Sequence, residues 1–349
     1  MMISEDCFFV VLGSSLICWD FKAHKQYQLS VAHARRLIFL IYNQDCIDQN
    51  CMVDQELIRA GVVKITQEQT DYWGWDVLSR IFHFGTKNIP LDDIPQSEEA
   101  WAKLYLEHCD GAWARPLPID YAHVGGEAGI LLPRKTCEGQ LEQSLYRRST
   151  TREFIDVPLR LEMLAKILQF TLGFVDDREV PVTSGLPDSL RKRRCSPSGG
   201  GLNSTEGYVL VRNVEGLDEG IYYYDAASHR LLLKSTDVPS VGQMLSGQHF
   251  ANNLPAGVFF TSRFDKLWWK YEHSRAYRNA LLEVGHVAQT FQIISTSLGL
   301  GTWLTGALCE QDIEPFLKLE NAHEQVLFFV GCGYTSGEAT PESLRMLTC

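Results

Sequence analysis

The run WWKYEHSRAYRNALLEVGHVAQTFQIISTSLGLGTWLTG, residues 268–306, is the stretch from which the rest of the chain can be read. Its middle is a long helix, because Leu281, Leu282, Val284, Val287, Ala288, Phe291, Ile294 and Leu298 recur at helical spacing. The apolar positions spread beyond one face, so the helix is expected in a core or a subunit interface. Before it stands Lys270-Tyr271, an amine beside a phenol, both able to position or exchange protons. After it, Gly299-Leu300-Gly301 and then Gly306 stop the helix and let bare backbone approach a flat ligand. A buried helix with proton-handling side chains before it and bare backbone after it suggests a cofactor site.

Outward from that run, AGVFFTS (256–262) is a short apolar strand, CEQDIEPFLKL (309–319) a helix and EQVLFFVGCG (324–333) a closing buried strand. EGIYYYDAASHRLLLKS (219–235) is a hairpin turning at Asp225 to Ser228. LRLEMLAKILQFTLG (159–173) is an amphipathic helix with Leu161, Leu164, Leu168 and Leu172 on one face and Gly173 as its stop. GLGTWLTG departs from G-x-G-x-x-G and follows a helix instead of opening one, which disfavours a Rossmann dinucleotide site.

Two polar turns lie upstream. RRSTTREF (147–154) interleaves Arg147, Arg148 and Arg152 with the hydroxyls of Ser149, Thr150 and Thr151. Fork-shaped donors with hydroxyls suit a phosphate or the carbonyl edge of a ring system, and a solvated basic turn is the plain alternative. SPSGGGLN (196–203) puts three glycines in a tight turn ahead of a strand from Gly207 to Arg212, with a flexible loop as its alternative. It is no Walker loop, since Lys and Ser/Thr do not follow the glycines.

Residues 1–135 read as a separate unit. FFVV (8–11) is a strand, HARRLIFLIY (33–42) an amphipathic helix, and DQELIRAGVVKI (54–65) a short helix, a stop at Gly61 and an edge strand. That helix-glycine-strand run is winged-helix-like, and in an acidic chain it is expected to hold a peptide or partner rather than DNA. Residues 71–90 and 101–116 are aromatic-rich and helical. His83, between Phe82 and Phe84, and Trp73, Trp75, Trp101 and Trp113 are expected to pack. HVGGEAGILLPRK (123–135) is the expected linker to a second domain, 136–349.

The 349 residues carry a net charge of −11, which disfavours nucleic-acid or anionic-membrane binding; Arg191-Lys192-Arg193-Arg194 is a local exception. There is no apolar run long enough for a bilayer and no secretory signal, so a soluble cytoplasmic protein is expected. The ten cysteines form no C-x-x-C pair, and Cys46 and Cys51 find no partners at zinc spacing, so reduced thiols and no metal site are expected.

From about residue 141 to 333 the chain resembles the nitroreductase-like flavoproteins, and within them the SagB-type (McbC-like) dehydrogenases that mature thiazole- and oxazole-containing peptides. Four landmarks carry the resemblance in order: RSTTREF (148–154), SPSGGGLN (196–203), Lys270-Tyr271 with AYRNALLEVGHVAQ (276–289), and LGLG (298–301). The segment WDVLSRIFHFGTK (75–87) is similar to the extension of such enzymes. The resemblance implies an α+β nitroreductase fold, a central mixed sheet flanked by helices, and a homodimer with FMN at its interface. It implies that Arg148, Ser149, Thr150 and Arg152 hold the FMN phosphate and ring polar edge, and that Pro197, Ser198, Gly199 and Gly200 run along the isoalloxazine. It places Leu304, Thr305 and Gly306, just after Gly299, Leu300 and Gly301, where backbone faces flavin N5. It assigns catalysis to Lys270 and Tyr271. The chain departs from the family after Gly331-Cys332-Gly333, where no Lys/Arg cluster follows, so phosphate charge falls to Arg148, Arg152 or the 191–194 cluster.

The implied reaction oxidises an azoline ring of a precursor peptide to an azole, with a cyclodehydratase as a partner. A hydride leaves one ring carbon for flavin N5, and a proton leaves its neighbour for a base. Free lysine and tyrosine are poor bases near neutrality, and desolvation or a neighbouring cation can correct that. Lys270 as base with Tyr271 as relay, the reverse, or Lys270 as a cation beside reduced flavin all fit the residues. An NAD(P)H-dependent reductase of nitro compounds, quinones or flavin, and a non-catalytic scaffold in a peptide-modifying complex, stand as alternatives.

Overall fold

A computed structural model describes residues 2–65, 72–91, 93–116, 130, 132–133, 138–181, 185 and 188–348. The linker expected at 123–135 lies almost wholly outside them, as does the boundary at 135. The chain divides into two compact units: Met1–Asp92 with Trp268–Tyr277 and Asn321–His323, and Asp93–Leu267 with Arg278–Glu320 and Glu324–Cys349.

The first unit begins with β1 (Met2–Ile3) and an antiparallel meander of β2 (Cys7–Leu12), β3 (Ser15–Asp20) and β4 (Lys25–Leu29). Ser30 caps α1 (Val31–Tyr42) by accepting from the His33 N–H. The helix-glycine-strand run follows as α2 (Met52–Arg59), Gly61 at φ 74°, and β5 (Val63–Lys64), which pairs antiparallel with β1. Leu37 and Leu40 of α1, Leu57 of α2, Val62, Val63 and Cys18 close a small core. Arg36 of α1 bonds the buried Asp54 of α2 through two nitrogens, each 2.6 Å, and that guanidinium holds the Asp54 carboxyl below its usual range. The last helix of the unit is α3 (Val77–Thr86), capped by Asp76.

The second unit contains α4 (Glu98–Trp113), α5 (Gln140–Arg147), α6 (Leu161–Thr171), α7 (Asp188–Arg191), β6 (Thr205–Val211), β7 (Gly220–Asp225), β8 (Arg230–Ser235) and α8 (Val241–Met244). Then come β9 (Ala256–Arg263), α9 (Phe264–Lys270), α10 (Tyr277–Ser297), β10 (Gly301–Thr305), α11 (Glu310–Leu317), β11 (Glu324–Gly333) and α12 (Glu342–Thr348). The last three residues of α9 and the first of α10 cluster with the first unit.

The six-stranded sheet has the order β10-β11-β9-β6-β7-β8, and neighbouring strands pair antiparallel. Its strands are thus all antiparallel, where a mixed sheet was expected, and the parallel element is an isolated bridge between Thr150 and Thr302 at the β10 edge. Alternate residues serve opposite faces. Val209, Val211, Val258, Phe260, Val330 and Cys332 meet Leu164, Ile167 and Leu168 of α6 and Val284, Val287, Ala288 and Phe291 of α10. Tyr208, Leu210, Phe259 and Phe329 meet Met244, Phe250, Ile313, Leu317 and Trp101. Both faces are covered, which is why the central strands read as continuous apolar runs.

Leu281 and Leu282 of α10 stay 44% and 60% exposed, outside the stripe of Val284, Val287, Ala288, Phe291, Ile294 and Leu298 that packs on the core. Two details differ from the sequence expectation. Trp113 is 73% exposed: twelve residues from Trp101 along α4, it sits about 120° off the face that Trp101 buries. GTWLT (301–305), expected as backbone after a helix stop, is an edge strand paired to β11 from Gly301↔Gly333 to Thr305↔Phe329.

At one end of β6, β9 and β11 lies a partly buried network. Thr261 Oγ1 donates to Glu324 Oε1 (2.6 Å), and Lys266 Nζ lies 2.7 Å from Glu206 Oε1. Burial, with the nearby Glu206 charge, pushes the Glu324 carboxyl up, while the Thr261 hydroxyl and Arg263 oppose the shift. A raised folded-state value means stability that is full below the unfolded carboxyl value and lost as pH rises through the folded one. Glu324→Gln is therefore expected to melt higher than the parent at pH 7, the gap closing on acidification below the carboxyl range. Melting curves that stay superimposed at pH 7 would contradict this.

Candidate active site

The arginine turn begins where α5 ends. Arg148 leaves helical geometry (φ −54°, ψ 115°) while its N–H still donates to Ser144 O at 3.0 Å. The chain then lies along the sheet edge: the Thr151 N–H donates to Thr302 O (2.9 Å), and the Arg152 N–H donates to Ala339 O (2.9 Å). Gly301 permits this approach, since a Cβ there would stand 3.2 Å from the Thr151 side chain. Thr151 is buried, Arg148 and Arg152 are half-buried, and Ser149 and Thr150 are exposed. Among the described residues neither guanidinium takes part in an ion pair. RRSTTREF is thus an ordered segment on the sheet rather than a loose basic turn.

The triple-glycine turn is held equally firmly. Ser198 Oγ accepts from the Asn203 N–H (2.8 Å) and donates to Glu283 Oε2 (2.6 Å), and Glu283 Oε1 accepts from the Thr205 N–H (2.9 Å). Glu283 belongs to α10 and is 3% exposed. Ser196 Oγ lies 2.6 Å from Thr290 Oγ1 of the same helix, and Gly199 lies against Asn279. Gly200 and Gly201 sit in the left-handed region, φ 66° and 69°, which favours glycine. The turn borders a groove of about 380 Å³ lined by Arg178, Arg193, Arg194, Ser196, Pro197 and Ser198 among others. Within the 191–194 cluster, Arg191 is committed to Asp188 (2.7 Å) and Glu179 (3.0 Å), while Arg194 bonds Thr205 O and stacks on Phe174. Arg193 lines the groove with one nitrogen bonded to Leu190 O and Lys192 O.

Gly299, at φ 79°, ends α10 and turns the chain into β10 through Leu300, which is buried. One flank of β10 belongs to β11, and the other meets the arginine turn at Thr302. Leu304 is half-buried, Thr305 Oγ1 accepts from Gln248 Nε2 (3.2 Å) and the Ala307 N–H (3.0 Å), and Gly306 is exposed. The structure therefore joins Arg148–Arg152 to Gly301–Gly306, and joins Pro197–Gly200 to α10. Among the described residues no hydrogen bond links the two assemblies directly.

Lys270 and Tyr271 belong to the first unit. Lys270 is exposed with its ammonium 5.7 Å from the Tyr271 ring centre, and Tyr271 is half-buried with its carbonyl accepting from Trp75 Nε1 at 2.7 Å. His83, 3% exposed, meets the Tyr277 hydroxyl at 3.0 Å, so it is a packed histidine, as expected.

Sequence reasoning assigned nothing to Glu283 or Thr302, and gave Trp75 a packing role without its hydrogen bond to Tyr271 O. Glu283 had a signal, a lone carboxylate within an apolar helix, which must find buried donors. Thr302 had none, because its partner turn is about 150 residues away.

Comparison with known proteins adds the following. The profile of the Nitroreductase family matches residues 145–334. A Methanocaldococcus jannaschii protein named as a candidate nitroreductase, MJ1384, is 32% identical over 187 residues, 52% of this chain and 86% of its own. The trifolitoxin-processing protein TfxB of Rhizobium leguminosarum bv. trifolii is 27% identical over 168 residues, 46% of this chain and 44% of its own, so less than half of that relative is spanned. The solved E. coli microcin synthetase McbBCD complex, with truncated pro-MccB17 bound, contains a chain 21% identical at TM-score 0.45, covering 69% of this chain and 95% of that one.

Proposed function

This chain belongs to the nitroreductase family, and from that premise we propose that it is an FMN-dependent dehydrogenase that oxidises azoline, or related, rings in a precursor peptide. The observation that carries the flavin reading is the Arg148–Arg152 turn, rich in guanidinium groups and hydroxyls, whose backbone is laid along the edge of β10 where Gly301 lets it approach. The peptide part rests on the likeness to a trifolitoxin-processing protein and on the Lys270-Tyr271 pair.

The donor set fits FMN. Arg148 and Arg152 would hold the phosphate, Ser149 and Thr150 the polar edge, with the Pro197–Gly200 backbone along the ring and the Leu304–Gly306 backbone near its reacting edge. Bound FMN supplies a two-electron acceptor for the hydride that leaves one ring carbon. Lys270 and Tyr271 handle the proton leaving the neighbouring carbon, either with neutral Lys270 as base and Tyr271 as relay or with their roles exchanged. The Lys270 ammonium lies 5.7 Å from the centre of the Tyr271 ring, a cation–π contact that keeps the two side chains beside one another.

The reading includes a second copy of the chain covering Leu281 and Leu282 of α10, an N-terminal region that receives the peptide or a cyclodehydratase, and a cytoplasmic setting. Incubating the FMN-loaded protein with a precursor peptide already carrying azoline rings is expected to give products lighter by two hydrogens per ring in a mass spectrum. Unchanged peptide mass with flavin bound would overturn the dehydrogenase reading. The higher identity to the archaeal relative favours one second reading, an NAD(P)H-dependent reductase. Steady NAD(P)H consumption with a quinone, needing no peptide, would mark it.

A further inference from the structure

The ten residues Trp268–Tyr277 carry Lys270 and Tyr271 between the end of α9 and the start of α10. Residues almost two hundred positions earlier hold them at four points. Ahead of the pair, the Trp268 ring meets Trp75 edge-on at 5.5 Å and lies 5.8 Å from Trp73 and from Tyr72. Gly74 is where Trp268 rests: a Cβ there would lie 2.3 Å from Trp268 Cγ, so no larger residue fits between the two tryptophans. At the pair itself, Trp75 Nε1 donates to Tyr271 O at 2.7 Å. Beyond it, Asp76 accepts from the Ser274 hydroxyl and, at 3.0 Å, from the Ser274 N–H, while Ser274 Oγ accepts from the Ser79 N–H at 3.1 Å. Those Ser274 bonds hold the Asp76 carboxyl below its usual range. Last, Tyr277 is pinned through its hydroxyl to His83.

We propose that Trp73-Gly74-Trp75-Asp76 is a positioning element for Lys270 and Tyr271, so that the N-terminal region completes the proton-handling site in addition to any part in receiving peptide. This rests on the dehydrogenase reading above. Without such anchors each residue of the segment would keep its backbone freedom, and proton transfer needs donor and acceptor within hydrogen-bond reach. Trp75 and Asp76 act through the segment: Trp75 fixes the Tyr271 carbonyl, and Asp76 fixes the chain three residues on. Asp76 also caps α3 by accepting from the Leu78 N–H, so helix and segment share one carboxylate.

The test uses the full FMN-loaded chain with Trp75→Phe, which keeps a ring and loses the N–H, and Asp76→Ala beside the conservative Asp76→Asn. Hydrogen exchange by mass spectrometry, read on peptides covering 268–277, is expected to quicken about tenfold in Trp75→Phe and Asp76→Ala, as the loss of one good hydrogen bond allows. kcat for peptide oxidation is expected to fall about tenfold with KM and flavin content unchanged, and Asp76→Asn to recover part of both effects. Unaltered exchange in the segment overturns the anchoring. Faster exchange with unaltered kcat overturns the positioning role. Should Trp75→Phe fail to fold, Ser274→Ala, lacking the hydroxyl shared by Asp76 and Ser79, takes its place under the same criteria. If the parent leaves the peptide mass unchanged the dehydrogenase reading fails, and if Lys270→Ala and Tyr271→Phe oxidise peptide at the parent rate the pair has no part in the proton transfer; in either case the exchange data still decide whether these residues hold the segment.

Discussion

Lys270→Ala is expected to lower kcat for peptide oxidation by about 10²–10⁴, the range general acid–base groups supply, with bound flavin unchanged in its visible spectrum. In barrier terms that is about 3–5 kcal/mol. The residue is exposed, so its removal opens no core cavity, and a melting curve beside the parent's separates a loss of rate from a loss of fold. Two further variants separate the roles left open by the pair. Lys270→Arg keeps a cation that does not deprotonate in proteins. It should be as inactive as the alanine variant if the amine takes the proton, and largely active if the amine only supplies charge. Tyr271→Phe keeps the ring that lies 5.7 Å from the ammonium and removes the hydroxyl. It should be the more damaging change if the phenol is the base and the milder one if it relays. Wild-type rates in all three variants, with flavin present, would remove both residues from the chemistry.

How much of this was legible in the sequence depended on the range of the interaction. Periodicity found α10, β9, β11 and the β7–β8 hairpin, because a buried stripe or a run buried on both faces is written locally. The helix-glycine-strand run 54–65 was legible for the same reason, with Gly61 as its stop. β10 was not: GTWLT is too short and glycine-led to read as a strand, and it becomes one because β11 and the Thr150 turn offer it partners. The tryptophans at 73 and 75 read as packing residues, and they are, but nothing near them in the chain names Trp268 or Tyr271 as what they meet. SPSGGG could be read as either a loose loop or a shaped turn. The choice was made by Glu283, eighty-odd residues on, whose carboxylate organises the turn from within a helix.

Glu283→Ala should therefore be the most destabilising single change at the triple-glycine turn. The carboxylate accepts from Ser198 Oγ and from the N–H of Thr205, a residue with no exposed surface that opens β6. Alanine leaves the fully buried Thr205 N–H without an acceptor, at about 1–3 kcal/mol, and takes the carboxylate from the half-buried Ser198 hydroxyl at a smaller cost of about 1–2 kcal/mol. A total of roughly 2–5 kcal/mol lowers the melting temperature of a domain of this size by about 5–15 °C. Glu283→Gln keeps one acceptor oxygen and presents an amide N–H₂ to the other donor, so it should fall between the two. Ser198→Ala removes one of the donors that alanine at 283 would strand, and the double variant should then lose less than the sum of the singles by 0.5 kcal/mol or more, about the coupling expected of residues in one network. FMN affinity should fall in Glu283→Ala as Gly200 and Gly201 leave their left-handed conformations, and titration of the apoprotein with FMN would read that loss separately from the melting curve. Strict additivity of the two substitutions would mean that the turn is shaped by its glycines alone, with the helix contributing only packing.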